Sequence, residues 1–276
     1  MRIGGKKGLK QRPEYFRLDA THPLARDLVF AGLGFMGSNK PTIYHDSVSE
    51  LRAIIAANHG TQTNMDPGTD WVWVQELGRW GLDIDATNDK VLCGTSLLSS
   101  ASAFSMGAWF KLNSTTGLHV ILGRHSAIVH GVILVTSGTN LAVPINSWPD
   151  NDTIYAAGLT TGTWHHGAVT QSGTNQTLYI NGTAVNTRTN ADTPTIPAAQ
   201  FCIGEFASYT GVWPLNGQIS DPFVADRALS PSEISILADR SDPMLGGLIL
   251  PPRRRLWGAV SVTTNRRRRL LLGAAV

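Results

Sequence analysis

Gln176-Thr177-Leu178-Tyr179-Ile180-Asn181-Gly182-Thr183-Ala184-Val185-Asn186-Thr187-Arg188 is the stretch that decides the fold class. Leu178 and Ile180 alternate with polar neighbours, the period of a strand with one buried face. Asn181-Gly182 then supplies a two-residue turn. Type I′ needs positive φ at both central positions, and Asn and Gly tolerate that best. The segment therefore predicts a β-hairpin.

Working outward, the chain from about residue 101 repeats this pattern. Short runs of alternating or β-branched residues are separated by Gly, Asn, Ser and Thr clusters. The expected strands are Phe104–Leu112, Leu118–Arg124, Gly131–Thr136, Thr153–Ala157, Trp164–Gln171, Gln176–Ile180, Thr183–Arg188 and Phe201–Glu205. One helix is signalled by Ser230-Pro231-Ser232-Glu233, with a hydroxyl at the N-cap, proline at N1 and a carboxylate at N3. Ile234, Ile236 and Leu237 give it an apolar face, and Asp242-Pro243 and Gly246-Gly247 stop it. A second helix is expected over Ser47–Ala57 after Asp46. The first hundred residues are otherwise less regular. Trp71, Trp73 and Trp80 fall close together there and read either as core or edge packing or as an exposed platform for sugar stacking.

Among the 276 residues, 16% are charged, below the usual level of about 25%. The net charge of +3 hides an uneven distribution. Residues 1–17 carry six basic groups against one acid, and residues 251–276 carry seven arginines and no acid. Residues 18–250 carry ten basic and nineteen acidic groups, a net of −9. An acidic body thus lies between two cationic ends. No apolar run is long enough to span a bilayer, and the basic, Gly-rich N-terminus lacks the apolar stretch of a secretory signal. Cys93 and Cys202 read either as two buried thiols or as a bridge between sheets. His165-His166 are adjacent on a strand and point to opposite faces, so they do not readily share one ion; one core and one exposed histidine are expected.

Several ordered segments resemble the concanavalin A-like, laminin G-type domains of bacterial surface proteins and phage particles. They run from about His22 to Asp239. His22-Pro23-Leu24-Ala25-Arg26-Asp27-Leu28-Val29 resembles the opening strand, and Asn58-His59-Gly60-Thr61 with Asn64-Met65-Asp66 an early loop. Gly81–Asp85 and Asn88–Val91 resemble the next paired strands. Phe104–Phe110 resembles the strand with a central Trp, and Trp164–Val169 with Leu178–Gly182 the central hairpin. Leu215–Asp221 and Asp226–Ile234 close the set. The resemblance implies an all-β fold, an antiparallel two-sheet jelly-roll sandwich (concanavalin A/laminin G-like) over residues 21–240. One short C-terminal helix and basic arms over 1–20 and 241–276 complete it. Family members that bind calcium use rim carboxylates, which makes Asp85, Asp89 and Asp221 the candidate Ca2+ ligands. Where the family has two adjacent acids after the last Gly-x-Ile, this chain has Ser220-Asp221, one ligand short. The alternative is that Asp83, Asp85 and Asp89 alternate along a strand and cap turns.

Hydrolases of this resemblance place catalytic acids as Glu-x-Asp-x-Glu on one strand. The five glutamates, Glu14, Glu50, Glu76, Glu205 and Glu233, do not have that spacing. Catalytic serine, paired-cysteine and phosphate-loop motifs are also absent. The expectation is a non-enzymatic structural protein of a phage-like particle, a capsid decoration, head fibre or tail component at the virion surface. Its sandwich would be anchored by Arg253, Arg254, Arg255, Arg266, Arg267, Arg268 and Arg269. Partners for these arginines are other virion or shell subunits, including copies of the same chain in a homo-oligomer; nucleic acid; or, with least support, an anionic membrane surface. The alternative function is a lectin recognising cell-surface polysaccharide through Trp148, Tyr209 and Trp213, which lie in loop segments. Packing or subunit contact is the competing reading for those three.

Overall fold

The computed structural model describes residues 17–19, 21–32, 60–66, 68–98, 102–127, 130–146, 153–189, 191–207, 211–242 and 245–250. The expected helix over 47–57, Trp148, Tyr209 and both Arg- or Lys-rich ends lie outside them.

In chain order the elements begin with β1 (Arg17–Leu18), α1 (Pro23–Asp27), β2 (Leu28–Ala31), β3 (Thr61–Thr63) and β4 (Trp71–Val74). Next come β5 (Arg79–Asp85), β6 (Lys90–Leu92), β7 (Ala103–Leu112), β8 (Leu118–Ala127), β9 (His130–Ser137) and β10 (Asn140–Val143). They end with β11 (Ile154–Ala157), β12 (Trp164–Ser172), β13 (Asn175–Ile180), β14 (Thr183–Arg188), β15 (Phe201–Ile203), β16 (Asn216–Ala225), α2 (Pro231–Leu237) and β17 (Ile249–Leu250). A seven-stranded sheet in the order β11-β10-β9-β8-β15-β6-β3 packs on an eight-stranded one. The latter runs β14-β13-β12-β7-β16-β5-β4, with β2 pairing the second half of β16. All of the strand pairs are antiparallel, which with the two-sheet packing is the expected jelly-roll sandwich.

The hairpin forms as the sequence predicts: Asn181 and Gly182 have φ of 51° and 80°, and β13 pairs β14. A bulge between Leu178 and Tyr179 leaves Val185 out of register and exposed at the sheet edge. The period-2 pattern of β7 sends Phe104, Met106, Ala108, Phe110 and Leu112 into the space between the sheets. There they meet Ile121, Leu122, Val132 and Leu134 of the other sheet. Each of these side chains larger than Ala108 stabilises the fold by roughly 1.5–3 kcal/mol on leaving water.

The outer face of the eight-stranded sheet is also covered. Leu24, Leu28, Ile234, Leu237 and Leu248 pack over Ala168, Tyr179, Phe223 and Ala225. In α2, Ser230 accepts from the Glu233 amide while the Glu233 carboxylate accepts from the Ser230 amide, the expected capping box. Arg227 bridges Asp27 at 2.7 Å and Glu233 at 2.5 Å, tying the end of α1 to the start of α2 and holding the Glu233 carboxyl down at about 2.

One reading needs correction here. His22–Val29, expected to be a strand, begins as helix α1. His22 caps it by accepting from the Leu24 amide, and Pro23 fits N1 because its missing N–H costs the helix nothing there. Arg17–Leu18 pairs with Ile249–Leu250, so each expected arm contributes a short strand to the folded body. Among the described residues no helix is long and apolar enough to cross a membrane.

Candidate functional site

The side chains of β7 that point away from the core create the site. Trp109 and Lys111 alternate with Ala108, Phe110 and Leu112, so they emerge on the outer face of the eight-stranded sheet. Register places His166 of β12 opposite Trp109 and Trp164 opposite Lys111. Val74, Leu77, Trp109 and Trp164 form an apolar cluster beside the area that the two helices cover. A cavity of about 420 Å³ opens over it, lined by Trp109, Thr163, Trp164, Asn181, Ala238, Asp239 and Arg240.

Each wall has a local cause. Asn181 is fixed by the type I′ turn, and its side-chain oxygen accepts from the His166 amide at 2.9 Å. Ala238 caps the C-terminus of α2. Asp239 then accepts from the Ser241 amide at 2.8 Å and hydroxyl at 2.6 Å, which turns the chain over the pocket mouth. Those Ser241 bonds hold the Asp239 carboxyl below its ordinary value, and Arg79 adds to the effect.

Two indoles, buried up to their nitrogens, form the floor of this cavity, with Lys111 and Arg79 close by. Trp109 and Trp164 are 3% and 5% exposed, and neither indole N–H has a hydrogen-bond partner. The Lys111 ammonium stands 5.5 Å from the centre of the Trp164 ring, a cation–π contact. Arg79 is fully buried: it donates to the Leu77 carbonyl at 3.0 Å and pairs with Asp221, while its Nη2 has no partner. Arg240 is exposed and makes no hydrogen bond or ion pair among the described residues. Such a site pairs an apolar floor with a polar rim of Thr163, Asn181, Asp239 and Arg240. It does not present the facing pair of carboxylates that glycoside hydrolysis needs.

The residues singled out from sequence fall elsewhere. Trp213 lies on the outer face of the seven-stranded sheet, half-buried in a cluster with Val120, Ile133, Val135, Ala142 and Phe206. Its φ is 53°, its carbonyl accepts from the Val120 amide at 2.8 Å, and its ring sits 5.3 Å from that of Phe206. The loop carrying it is anchored by Glu205, which is fully buried and accepts from Lys90 Nζ at 2.7 Å and from the Gly211 amide. Asp85 and Asp89 neighbour each other at the rim. The Asp85 amide donates to Asp89 at 3.2 Å, and burial, with Asp85 and Asp70 nearby, pushes the Asp89 carboxyl up to about 6.

Asp221 does not join them. Asp85 pairs in register with Asn216, five positions along β16 from Asp221, or about 16 Å away. Arg79 already satisfies Asp221. Among the described residues no group of three His, Cys, Asp or Glu side chains is placed to hold a metal ion.

The two histidines are both buried, where one exposed was expected. His165 faces the core, 6.2 Å from Phe110. His166 faces outward but is covered, 5.3 Å from Trp109 and stacked on Phe223 at 6.0 Å. Of the three N-terminal tryptophans, Trp71 is buried and Trp73 is 51% exposed, edge-on to Trp80 at 5.7 Å. Cys93 and Cys202 are both buried and neither forms a disulfide, and burial pushes the Cys202 thiol up to about 12.

Sequence reasoning missed Trp109, Trp164, Asp239 and Arg240 as a group. The available signal was parity, because Trp109 falls out of step with Met106, Ala108 and Phe110 on its own strand.

Comparison with known proteins agrees with this architecture. No curated protein matches the sequence. The binding domain of botulinum neurotoxin serotype D superposes with a TM-score of 0.56 at 12% identity, over 78% of this chain and 52% of that one. The C/D mosaic serotype domain gives 0.57 at 14% identity, over 78% and 51%. Trypanosoma rangeli sialidase, solved in complex with sialic acid, gives 0.56 at 12% identity, over 79% and 33%. The chain thus spans about half of the toxin domains and a third of the sialidase, and the likeness is one of fold. A laminin G family model, described as concanavalin A-like lectin/glucanases superfamily, matches residues 85–235, more than half of the chain. The chain belongs to the concanavalin A-like lectin/glucanase superfamily.

Proposed function

We propose that this protein is a non-enzymatic, glycan-binding structural component of a phage-like particle. The observation that carries glycan recognition is the cavity of about 420 Å³ with Trp109 and Trp164 in its lining and Thr163, Asn181, Asp239 and Arg240 at its polar side. A sugar ring offers an apolar face for an indole and hydroxyls for a polar rim, so the two halves of this lining suit one ligand. A non-catalytic role is supported by the glutamates: Glu205 is locked to Lys90, and Glu233 to Arg227 and the cap of α2. The test is a glycan array probed with the wild-type protein and with a Thr163→Ala/Arg240→Ala double variant, whose changes lie at exposed positions. Binding by the wild type that falls at least tenfold in the variant supports the assignment. Silence across the array, or binding indifferent to the variant, refutes it.

The particle assignment rests on charge. Cationic ends flank a body of net −9, so the ends of one copy are complementary to the body of another. The reading is of a homo-oligomeric virion-surface component with its arginines on neighbouring subunits. Sedimentation of the protein from its source, with particle imaging, tests this: co-migration with a large symmetric particle supports it, and a small free species refutes it. Deleting residues 251–276 should abolish incorporation. If the arms instead hold nucleic acid, nuclease treatment of the particle will release the protein.

A further inference from the structure

We infer that two copies of this chain join edge to edge through β14, their eight-stranded sheets continuing across a two-fold axis. Among the described residues β14 is the last strand of that sheet, with β13 on one side and no strand on the other. Thr183–Thr187 are all exposed. At six residues β14 is longer than the other sheet-end strands, β3, β4 and β11. A sheet edge presents N–H and C=O groups that another strand can take up, and proteins usually blunt it with lysine, proline or a charge in mid-strand. Thr183-Ala184-Val185-Asn186-Thr187-Arg188 has none of these before its last residue. The bulge at Val185 bends the strand without removing its outward donors and acceptors. Of the three exposed large apolar side chains among the described residues, two gather here: Val185 at 45% and Tyr155 at 38%. Asn186 Nδ2 links their strands, donating to the Tyr155 carbonyl at 2.7 Å.

Charge identifies the occupant. No acid lies between Asp152 and Asp192, a stretch that includes β11 and β14, and Arg188 is its one Lys or Arg. The opposite end of the sandwich is the reverse. Residues 61–89, which hold β3, β4 and β5, carry six acids, and their one Lys or Arg, Arg79, is buried against Asp221. A second copy, with its own body at −9, therefore meets least repulsion when β14 faces β14, because the acidic ends are then outermost. Six strand spacings separate β14 from β4, about 29 Å or several Debye lengths. A strongly charged partner of either sign would find little to pair with at this edge. The chain itself fits, since an antiparallel edge is self-complementary: a two-fold axis between Val185 and Asn186 sets Thr183 against Arg188 of the second copy. That axis is perpendicular to the sheet and keeps both Trp109–Trp164 pockets on one side. The Asn181 turns that border them lie roughly 25 Å apart, so on the glycan reading a surface of repeated sugars meets both pockets together.

The experiment is sedimentation equilibrium of the full chain in about 0.5 M salt, where the Debye length falls to about 4 Å and contacts of the arginine-rich ends are screened. The expected species is a dimer. Val185→Lys/Thr187→Lys puts like charges along the edge at exposed positions. It should raise the dissociation constant about tenfold or more with an unchanged far-ultraviolet spectrum. Hydrogen exchange on the wild type gives a second reading, in which the β14 amides slow as the dimer fills over a dilution series. A monomer at every concentration in high salt overturns the inference. So does a dimer indifferent to the lysines, or one whose β14 amides exchange as fast as the monomer's. Association confined to low salt and lost on deleting residues 251–276 also overturns it, while the reading of the arms stands. A high-salt dimer from a protein that never co-migrates with a particle supports the inference and removes the particle reading alone.

Discussion

Acidification should weaken this fold through one side chain, and the size of the effect follows from its burial. His166 is fully covered between Trp109 and Phe223, and neither ring nitrogen has a hydrogen-bond partner. Burial lowers it from the usual 6.5 to about 3. In the unfolded chain it binds a proton as soon as the pH falls through 6.5; in the folded chain it stays neutral until about 3. The unfolded state therefore holds more protons across that window, and stability falls as pH falls, by about 1.4 kcal/mol per unit. Between pH 7 and pH 4 the loss is about 3 kcal/mol from this residue alone. His166→Phe keeps an aromatic ring against Trp109 and Phe223 and removes the titration. Urea unfolding of both proteins at pH 7 and pH 4 isolates the term, because contributions from His165, Glu233 and the other carboxylates cancel in the comparison. The variant should equal or exceed the wild type at pH 7 and exceed it by about 3 kcal/mol more at pH 4. If the two proteins lose the same stability between these pH values, His166 is not buried and neutral as argued.

Other outcomes follow from single contacts. Arg79→Met leaves Asp221 buried without its cation and should cost about 3–5 kcal/mol, read as a lower urea midpoint at unchanged slope. Gly217→Ala should cost about 3 kcal/mol or prevent folding, because φ is 153° there and an added Cβ would stand 2.0 Å from the Lys111 carbonyl oxygen. Ser230→Ala removes the cap of α2 and should cost about 1 kcal/mol, visible as a fall in thermal midpoint.

The C-terminal two thirds of the sandwich was legible because its strands are long and alternate cleanly. β7 needed one residue added at its start, and β14 matched residue for residue. β10 was overlooked: at four residues, Asn140–Val143 is too short to display a period. β3 is polar and partly exposed, so hydrophobic patterning had nothing to register. Proline at position 23 carried the signal for α1, but the resemblance of His22–Val29 to an opening strand outweighed it. The pocket was illegible for a different reason. Its walls come from β7, β12, a hairpin turn and the residues after α2, and only the register of β7 on β12 brings them together. Trp213, by contrast, was visible as a loop tryptophan, yet the loop folds back on the sheet because Glu205 and Lys90 anchor it.

The pairing of β1 with β17 has a mechanical consequence. Arg17 stands opposite Leu250 in an antiparallel pair, so the chain enters and leaves the folded body side by side, about 5 Å apart. Residues 1–16 and 251–276, which join the body at that one spot, carry five and seven basic groups against a single acid. A partner that captures one end meets the other at an effective concentration of order millimolar, so two separately weak, salt-sensitive grips act as one bivalent tether. Tension on that tether reaches the two rungs of the clasp edge-on, where they open singly, like a zip. With two residue pairs against the nine that join β7 to β12, the clasp would yield before the sandwich and leave its core undisturbed.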